Sequence, residues 1–314
     1  MTIDRKYIDQ IINVSSKAAY ASSHLVGKND KIAADKAAVD AMRSELNLMD
    51  INGRVVIGEG ELDEAPMLYI GEILGTKKGP DIDIAVDPLE GTNFAAKNLP
   101  GALSVISISE KGNLFNAPET YMDKIAANIK EKDIIDLDYG TKKNLDNLAD
   151  YKNKNIEDLT VCILDRPRHK KVIDEIHECK AKTKLITDGD VSGALLVTNP
   201  IFNIDLFLGI GGGPEGVLAA SALDAYNCFF QGRFIFEDEK DKKRAKEMGI
   251  KDYSKKYNLN EIVSGDSIFC ATGITSGDLV KGIVSDENSF KSETLVTHKS
   301  SNTKEIVQKQ FIIE

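Results

Sequence analysis

Ile82-Asp-Ile-Ala-Val-Asp-Pro-Leu-Glu-Gly-Thr92 reads as a buried strand that runs out into a cluster of oxygen donors. Ile82, Ile84 and Val86 are β-branched and alternate with Asp83 and Ala85, the period of two expected of a strand. Asp87-Pro88 should end it, because proline restricts the residue before it and donates nothing to a sheet ladder. Glu90, Gly91 and Thr92 then follow in a tight turn. Two carboxylates and a hydroxyl so close together repel one another unless a cation sits among the oxygens. The stretch therefore predicts a divalent-metal site suited to phosphate chemistry.

N-terminal to it, Asn52-Gly53 signals a turn and Arg54-Val-Val-Ile57 a strand. That strand runs into Gly58-Glu59-Gly60-Glu61-Leu62-Asp63-Glu64. A charge run is ordinarily a solvated loop. Here the acids interleave with glycines, which let a backbone approach a ligand, and they follow directly on a strand. A helix over 65–74 and a turn over 75–79 complete this part. Further back, residues 3–25 and 33–48 carry helical stripes separated by the polar turn Gly27-Lys-Asn-Asp-Lys31. Asp35 lies in the first turn of the second helix, where an acid ordinarily serves the helix dipole. Lys31, in the preceding loop, is ordinarily a solvated charge.

C-terminal to it, Ala102–Ser109 reads as a strand closed by the hairpin signal Glu110-Lys-Gly-Asn113. Residues 115–131 are expected to hold Tyr121 and a mixed helix. The Lys/Asn-rich stretch over 138–158 is the expected boundary, giving one domain of residues 1–157 plus 260–314 and a second of 158–259. In the second, strands and helices alternate, which implies parallel pairing. Its strands at 159–164, 183–186 and 204–210 end in Asp165-Arg-Pro-Arg-His169, Asp188-Gly-Asp190 and Gly211-Gly-Gly-Pro-Glu-Gly216. Ligands bind beyond such strand ends. Antiparallel-looking strands return at 229–236, 267–273 and 293–297. The fold class is α/β, with one mostly antiparallel and one mostly parallel sheet.

The 314 residues, 42% hydrophobic and 29% charged, suit a globular protein with a sizeable core. A net charge of −10 excludes an ordinary nucleic-acid binder, and the absence of Trp removes a stacking platform. Cys162, Cys179, Cys228 and Cys270 form no C-x-x-C pair, as expected in a reducing compartment. Charged residues from Asp4 to Lys17 exclude a signal peptide or membrane span at the N-terminus. A cytoplasmic protein with no nucleic-acid and no membrane partner is expected.

The acids at strand or helix ends are Asp35, Glu59, Glu61, Asp63, Asp87, Glu90 and Glu215. Hard oxygen donors, with no histidine pairing and no thiolate pair, select Mg²⁺ or Mn²⁺ over zinc. Thr92 could orient a water or the phosphoryl oxygens, and Glu61 or Asp63 could accept the water's proton. Lys31, Arg166 and Arg168 are candidate counter-charges for phosphate. Gly211 to Gly216 also satisfies G-x-G-x-x-G between a strand and a helix. Glu215 would place negative charge where a pyrophosphate needs positive potential, so the dinucleotide reading ranks below a metal role for Glu215.

Asp87-Pro-Leu-Glu-Gly-Thr92 resembles the metal signature of the lithium-sensitive phosphatase superfamily, which includes inositol monophosphatases and fructose bisphosphatases. A wider set spans nearly the whole chain: Asp30-Lys31, Ala34-Asp35, the run Val56 to Gly71, Asn116-Ala-Pro118 and Tyr121-Met122. It continues with Arg166-Pro-Arg-His169, Asp188-Gly-Asp190, Gly209 to Gly216 and Ala271-Thr-Gly-Ile-Thr275. Together these resemble class II fructose-1,6-bisphosphatases. The resemblance implies a layered αβαβα sandwich of the sugar phosphatase type and a reaction that releases the 1-phosphate of fructose 1,6-bisphosphate. Other sugar or inositol phosphates, including sedoheptulose 1,7-bisphosphate, are the alternative substrates. It implies two or more Mn²⁺ or Mg²⁺ ions on Asp35, Glu59, Asp87, Glu90 and Glu215. It implies catalytic roles for Lys31, Glu61, Asp63 and Thr92. Substrate contacts are implied at Glu90, Gly91, Thr92 and Tyr121, at Arg166, Pro167 and Arg168, at Asp188, Gly189 and Asp190, and at Gly212. A homodimer or homotetramer is the expected assembly.

Overall fold

The computed structural model describes residues 2–58 and 67–313; the expectations for Glu59, Glu61 and Asp63 lie outside the described residues. The chain opens with α1 (Ile8–Ser23) and α2 (Lys31–Leu48), then β1 (Asn52–Ile57), β2 (Ile73–Leu74) and β3 (Asp81–Glu90). A one-turn helix, α3 (Thr92–Ala96), leads into β4 (Leu103–Glu110) and β5 (Tyr121–Ala127). Next come α4 (Thr141–Lys152), β6 (Thr160–Leu164), α5 (Lys170–Glu178), β7 (Lys182–Ile186) and α6 (Asp190–Leu195). β8 (Leu206–Gly212), α7 (Gly213–Ala225), β9 (Phe229–Ile235) and α8 (Glu239–Glu247) follow, then β10 (Tyr257–Asn258) and α9 (Leu259–Ile262). The chain closes with β11 (Ser267–Gly273), β12 (Val284–Ser285), β13 (Ser289–His298) and β14 (Thr303–Ile312).

Two compact units result, Met1–Asn116 with Val263–Glu314, and Ala117–Ile262 inserted between them in sequence. The insertion begins well before the boundary expected near residue 158. The reason is β5, whose backbone pairs with β8 and β9 and so carries residues 117–157 into the inserted unit.

The first unit is one sheet in the order β12-β13-β11-β4-β3-β1-β2, with β14 on β13. Its pairings are antiparallel apart from β1 with β3. α1 and α2 pack on each other; α1 covers β11, β13 and β4, and α2 covers β3. Ile11, Ile12, Ala18, Ala38, Met42 and Leu46 from the helices meet Ile84, Ile106 and Ile268 from the strands in one apolar core. This is the helical stripe meeting the two-residue strand period.

β3 does not stop at Asp87-Pro88. It continues to Glu90, with the ladder to β4 slipping register between Asp87 and Glu90. A bulge tolerates the proline's missing N–H and lets the strand go on. The helix expected over 65–74 is also absent from its described part. Gly71 N–H donates to Val55 C=O and Val55 N–H to Glu72 C=O, and Ile73–Leu74 pairs with β1. Arg43 fixes this stretch from α2, binding the Glu72 carboxylate (2.7 and 3.1 Å) and the Met67 carbonyl. These tertiary bonds override the helix propensity of the local residues.

The inserted unit has the strand order β10-β9-β5-β8-β6-β7. β8, β6 and β7 are parallel, as their alternation with helices requires, while β5, β9 and β10 add antiparallel pairs. The helix expected within 115–131 is thus the strand β5. Gly211 to Gly216 is not a loop: Gly211 and Gly212 end β8, and Gly213-Pro214 starts α7. No helix among the described residues is long and apolar enough to cross a membrane.

Candidate active site

In the first unit Asp87, Glu90, Gly91 and Thr92 lie where β3 hands over to α3. Asp87 is half-buried and Glu90 is 2% exposed. One carboxylate oxygen of each lies within 4.8 Å of the other. Gly91 caps α3 in the left-handed region (φ +78°), and a Cβ there would come within 2.8 Å of Phe94 Cδ2. Only glycine makes this turn without strain, and the turn places Thr92 as the first residue of α3.

Asp35 lies in α2, buried at 8% exposure, and α2 packs against both β3 and α3. The start of α2 is fixed locally. Asp30 caps it by accepting from Ala33 N–H (2.9 Å). Gly27 and Asn29 donate to the carbonyls of Ala95 and Ala96 (2.9 Å each), stitching the loop onto α3. Lys31 is therefore the first residue of α2 rather than a loop residue, and it is exposed. Asp87 and Glu90, the second of them buried, bring hard oxygens together. A divalent ion suits such a set, since it offsets their mutual repulsion and their loss of water.

In the inserted unit the predicted substrate residues lie at strand ends. Tyr121 faces Gly212 across the β5–β8 ladder. The Arg168 guanidinium sits 4.8 Å above the Tyr121 ring and donates twice to Ile210 C=O (3.0 and 2.8 Å). Arg166 lies 3.9 Å from the Asp188 carboxylate. Gly189 caps α6 at φ +83°, placing Asp190 as its first residue. At α7, Gly212 N–H donates to Glu215 Oε2 (2.7 Å), closing the first helical turn on the carboxylate proposed as a ligand.

His169, quoted only as part of a motif, organises this surface. Its Nδ1 donates to Leu164 C=O (2.7 Å), and its Nε2 accepts from Ile210 N–H (2.7 Å). Those bonds require the neutral ring, and burial pushes its pKa down. His169 and Arg168 thus hold the two sides of Ile210, and with it the end of β8.

Sequence reasoning missed Lys124. It lies in β5, 1% exposed, and its ammonium meets Asp190 and the Gly212 carbonyl (2.7 Å). A lysine in the middle of a strand reads as solvated, and its partners are 66 and 88 residues away. No local signal could have found it.

The family model of bacterial fructose-1,6-bisphosphatase, glpX-encoded, matches residues 5–311. A protein of Synechococcus sp. (strain JA-3-3Ab) named D-fructose 1,6-bisphosphatase class 2/sedoheptulose 1,7-bisphosphatase is 43% identical, covering 96% of this chain and 94% of its own length. Proteins of the same name from Trichodesmium erythraeum and Prochlorococcus marinus (strain AS9601) are 42% and 40% identical. They cover 95% and 96% of this chain, and 94% and 95% of their own lengths. With matches of that extent laid over a strand end that gathers carboxylates, the chain belongs to the glpX-encoded bacterial fructose-1,6-bisphosphatases.

Proposed function

We propose that this bisphosphatase hydrolyses the 1-phosphate of fructose 1,6-bisphosphate with Mn²⁺ or Mg²⁺ held by Asp35, Glu59, Asp87, Glu90 and Glu215. The observation that carries the reading is the close pair Asp87 and Glu90, next to the glycine-capped start of α3, in a chain matched by the family almost end to end. Bound divalent ions supply the positive charge that polarises the phosphoryl group and acidifies water. The chain's own groups do the rest. Thr92 orients the phosphoryl oxygens, Lys31 adds positive charge, and Glu61 or Asp63 takes the proton from the attacking water. The bond between phosphorus and the oxygen on C1 breaks as the water oxygen bonds to phosphorus, and the departing sugar oxygen takes a proton from solvent water while the carboxylate returns its own to solvent. Arg166 and Arg168 hold the distal phosphate, and Asp188 and Asp190 accept hydrogen bonds from sugar hydroxyls. We place the enzyme in the cytoplasm as a homodimer or homotetramer.

Phosphate release from fructose 1,6-bisphosphate with Mn²⁺ present is the direct test; none at any Mn²⁺ concentration refutes the reading. Thr92→Ala should leave a folded protein with kcat lowered about a hundredfold or more, the scale seen when one transition-state donor is removed. The relatives' names favour a second substrate, sedoheptulose 1,7-bisphosphate. A panel of both bisphosphates with an inositol phosphate, at fixed metal, ranks them by kcat/KM.

A further inference from the structure

Lys124 is among the most buried side chains of the protein, at 1% exposure. A buried ammonium without partners is costly, so its surroundings should show what it is kept for. Opposite it in the ladder stand Gly209 on β8 and Gly232 on β9. Its Nζ donates to Asp190 Oδ2 and to Gly212 C=O (2.7 Å) and lies 4.0 Å from Glu215 Oε2. Glu215 Oε2 in turn accepts from Gly212 N–H (2.7 Å). The glycines of the Gly209–Gly216 run make room for this arrangement. A Cβ on Gly211 would lie 2.2 Å from Asp190 Oδ2, and one on Gly216 would lie 3.3 Å from Lys124 Cδ. The G-x-G-x-x-G spacing thus wraps an internal cation rather than a pyrophosphate. One positive charge stands among two carboxylates and holds an oxygen of Asp190. The other Asp190 oxygen, Oδ1, is buried with no hydrogen-bond partner among the described residues. It is an acceptor kept ready for a donor that the described residues do not supply.

We propose that Lys124 is a positioning residue for the reaction. Its ammonium locks Asp190 and Glu215 into one unit, presenting Asp190 Oδ1 to a substrate hydroxyl and Glu215 to a metal ion. The proposal rests on the functional reading above for the roles of those two carboxylates. It goes beyond that reading by making sugar recognition and metal affinity depend on the same buried charge.

The test compares wild type, Lys124→Met, Lys124→Gln, Asp190→Asn and the double variant Lys124→Met/Asp190→Asn. Folding is checked by circular dichroism and melting. Mn²⁺ binding to chelator-stripped protein is measured by calorimetry without substrate, and KM and kcat with fructose 1,6-bisphosphate. Folded Lys124→Met should bind Mn²⁺ about fivefold or more weakly and show KM raised about tenfold, a loss of about 1.4 kcal/mol, with kcat changed less. In the double variant KM should be no higher than in Asp190→Asn alone, because the lysine acts on substrate through Asp190. A generally loosened fold would instead give additive losses and a lowered kcat. Additive KM effects overturn the proposal, and so does a change confined to only one of Mn²⁺ affinity and KM. Where Lys124→Met fails to fold, Lys124→Gln, which keeps a donor toward Gly212, carries the same comparison. Failure of both to fold makes Lys124 a determinant of the fold and overturns the proposal. Wild type that releases no phosphate refutes the functional reading instead, and the Mn²⁺ titration then decides on Lys124 alone.

Discussion

Single residues at the two strand ends carry consequences out of proportion to their size. Gly91 holds φ at +78°, and any Cβ would press on Phe94. Left-handed backbone costs a non-glycine residue about 1–2 kcal/mol before the clash is counted. Gly91→Ala should therefore lower stability by at least about 1 kcal/mol in urea titrations and turn Thr92 away from its place. An unchanged midpoint would mean the turn relaxes freely. His169 makes a different case. Burial pushes its pKa below the ordinary 6.5, so the unfolded chain binds a proton more readily than the folded one. The stability it contributes is fully present above pH 6.5 and is lost as pH falls through the folded value. His169→Gln should flatten that slope in urea titrations run from pH 7 downward, while costing about 1–3 kcal/mol at pH 7 for the disturbed bonds to Leu164 and Ile210. An equal slope in the variant would assign the acid sensitivity elsewhere.

Among the elements, β5 holds the most unusual chemistry. It carries Lys124 on one side and, adjacent in sequence, Asp123, whose pKa burial raises to about 6 against the pull of Arg233. Arg233 itself pairs with Asp138 at 2.7 Å. For a carboxyl raised in the fold the sign is the reverse of that for a salt-bridged acid. The folded state binds the extra proton between pH 3.8 and about 6, so stability falls as pH rises through that window. Asp123→Asn should remove this loss and stabilise the protein at pH 7 by at most about 3 kcal/mol. A variant less stable than wild type at pH 7 would show that the Arg233 attraction outweighs burial. The same strand shows where sequence was legible and where it was not. β3, β6 and β8 announce themselves because Ile, Val and Leu fill both buried faces or alternate cleanly. β5 reads as helix because Asp123 and Lys124 interrupt its apolar pattern, and their burial depends on partners far along the chain. β14 escapes notice for another reason: Lys304, Glu305, Gln308, Lys309 and Gln310 give it the polar content that sheet edges use against aggregation. The site divides likewise. Asp87 to Thr92 is a local motif and legible as metal chemistry. Arg166 and Arg168 offered themselves only as candidate counter-charges, since isolated loop charges are usually solvated, and the substrate contacts expected of Tyr121 and Asp188 came from the resemblance. Lys124, whose partners lie 66 and 88 residues away, left no local trace, and His169 stood in a quoted motif without any sign of its bond to Ile210.

At the scale of the whole chain, the candidate ligands are divided by an insertion. Asp35, Asp87 and Glu90 belong to the unit of Met1–Asn116 and Val263–Glu314, and Glu215 to Ala117–Ile262. If Glu215 shares an ion with the first set, metal binding must stabilise both units at once. A ligand bound only by the folded state adds about 2.7 kcal/mol at a hundredfold excess over its Kd. Hydrogen exchange can locate that gain. With Mn²⁺, amides of β3 and α3 in one unit and of the β8–α7 junction in the other should slow together, at the same half-saturating concentration. Glu215→Gln should abolish the gain at the β8–α7 junction and weaken it at β3. Asp87→Asn should do the converse, through the same ion. Protection confined to β3 and α3 in wild type, with Glu215→Gln binding Mn²⁺ as tightly, would remove Glu215 from the ligand set. The metal would then be a property of the first unit alone, and Glu215 would remain only the carboxylate that closes the first turn of α7 and faces Lys124.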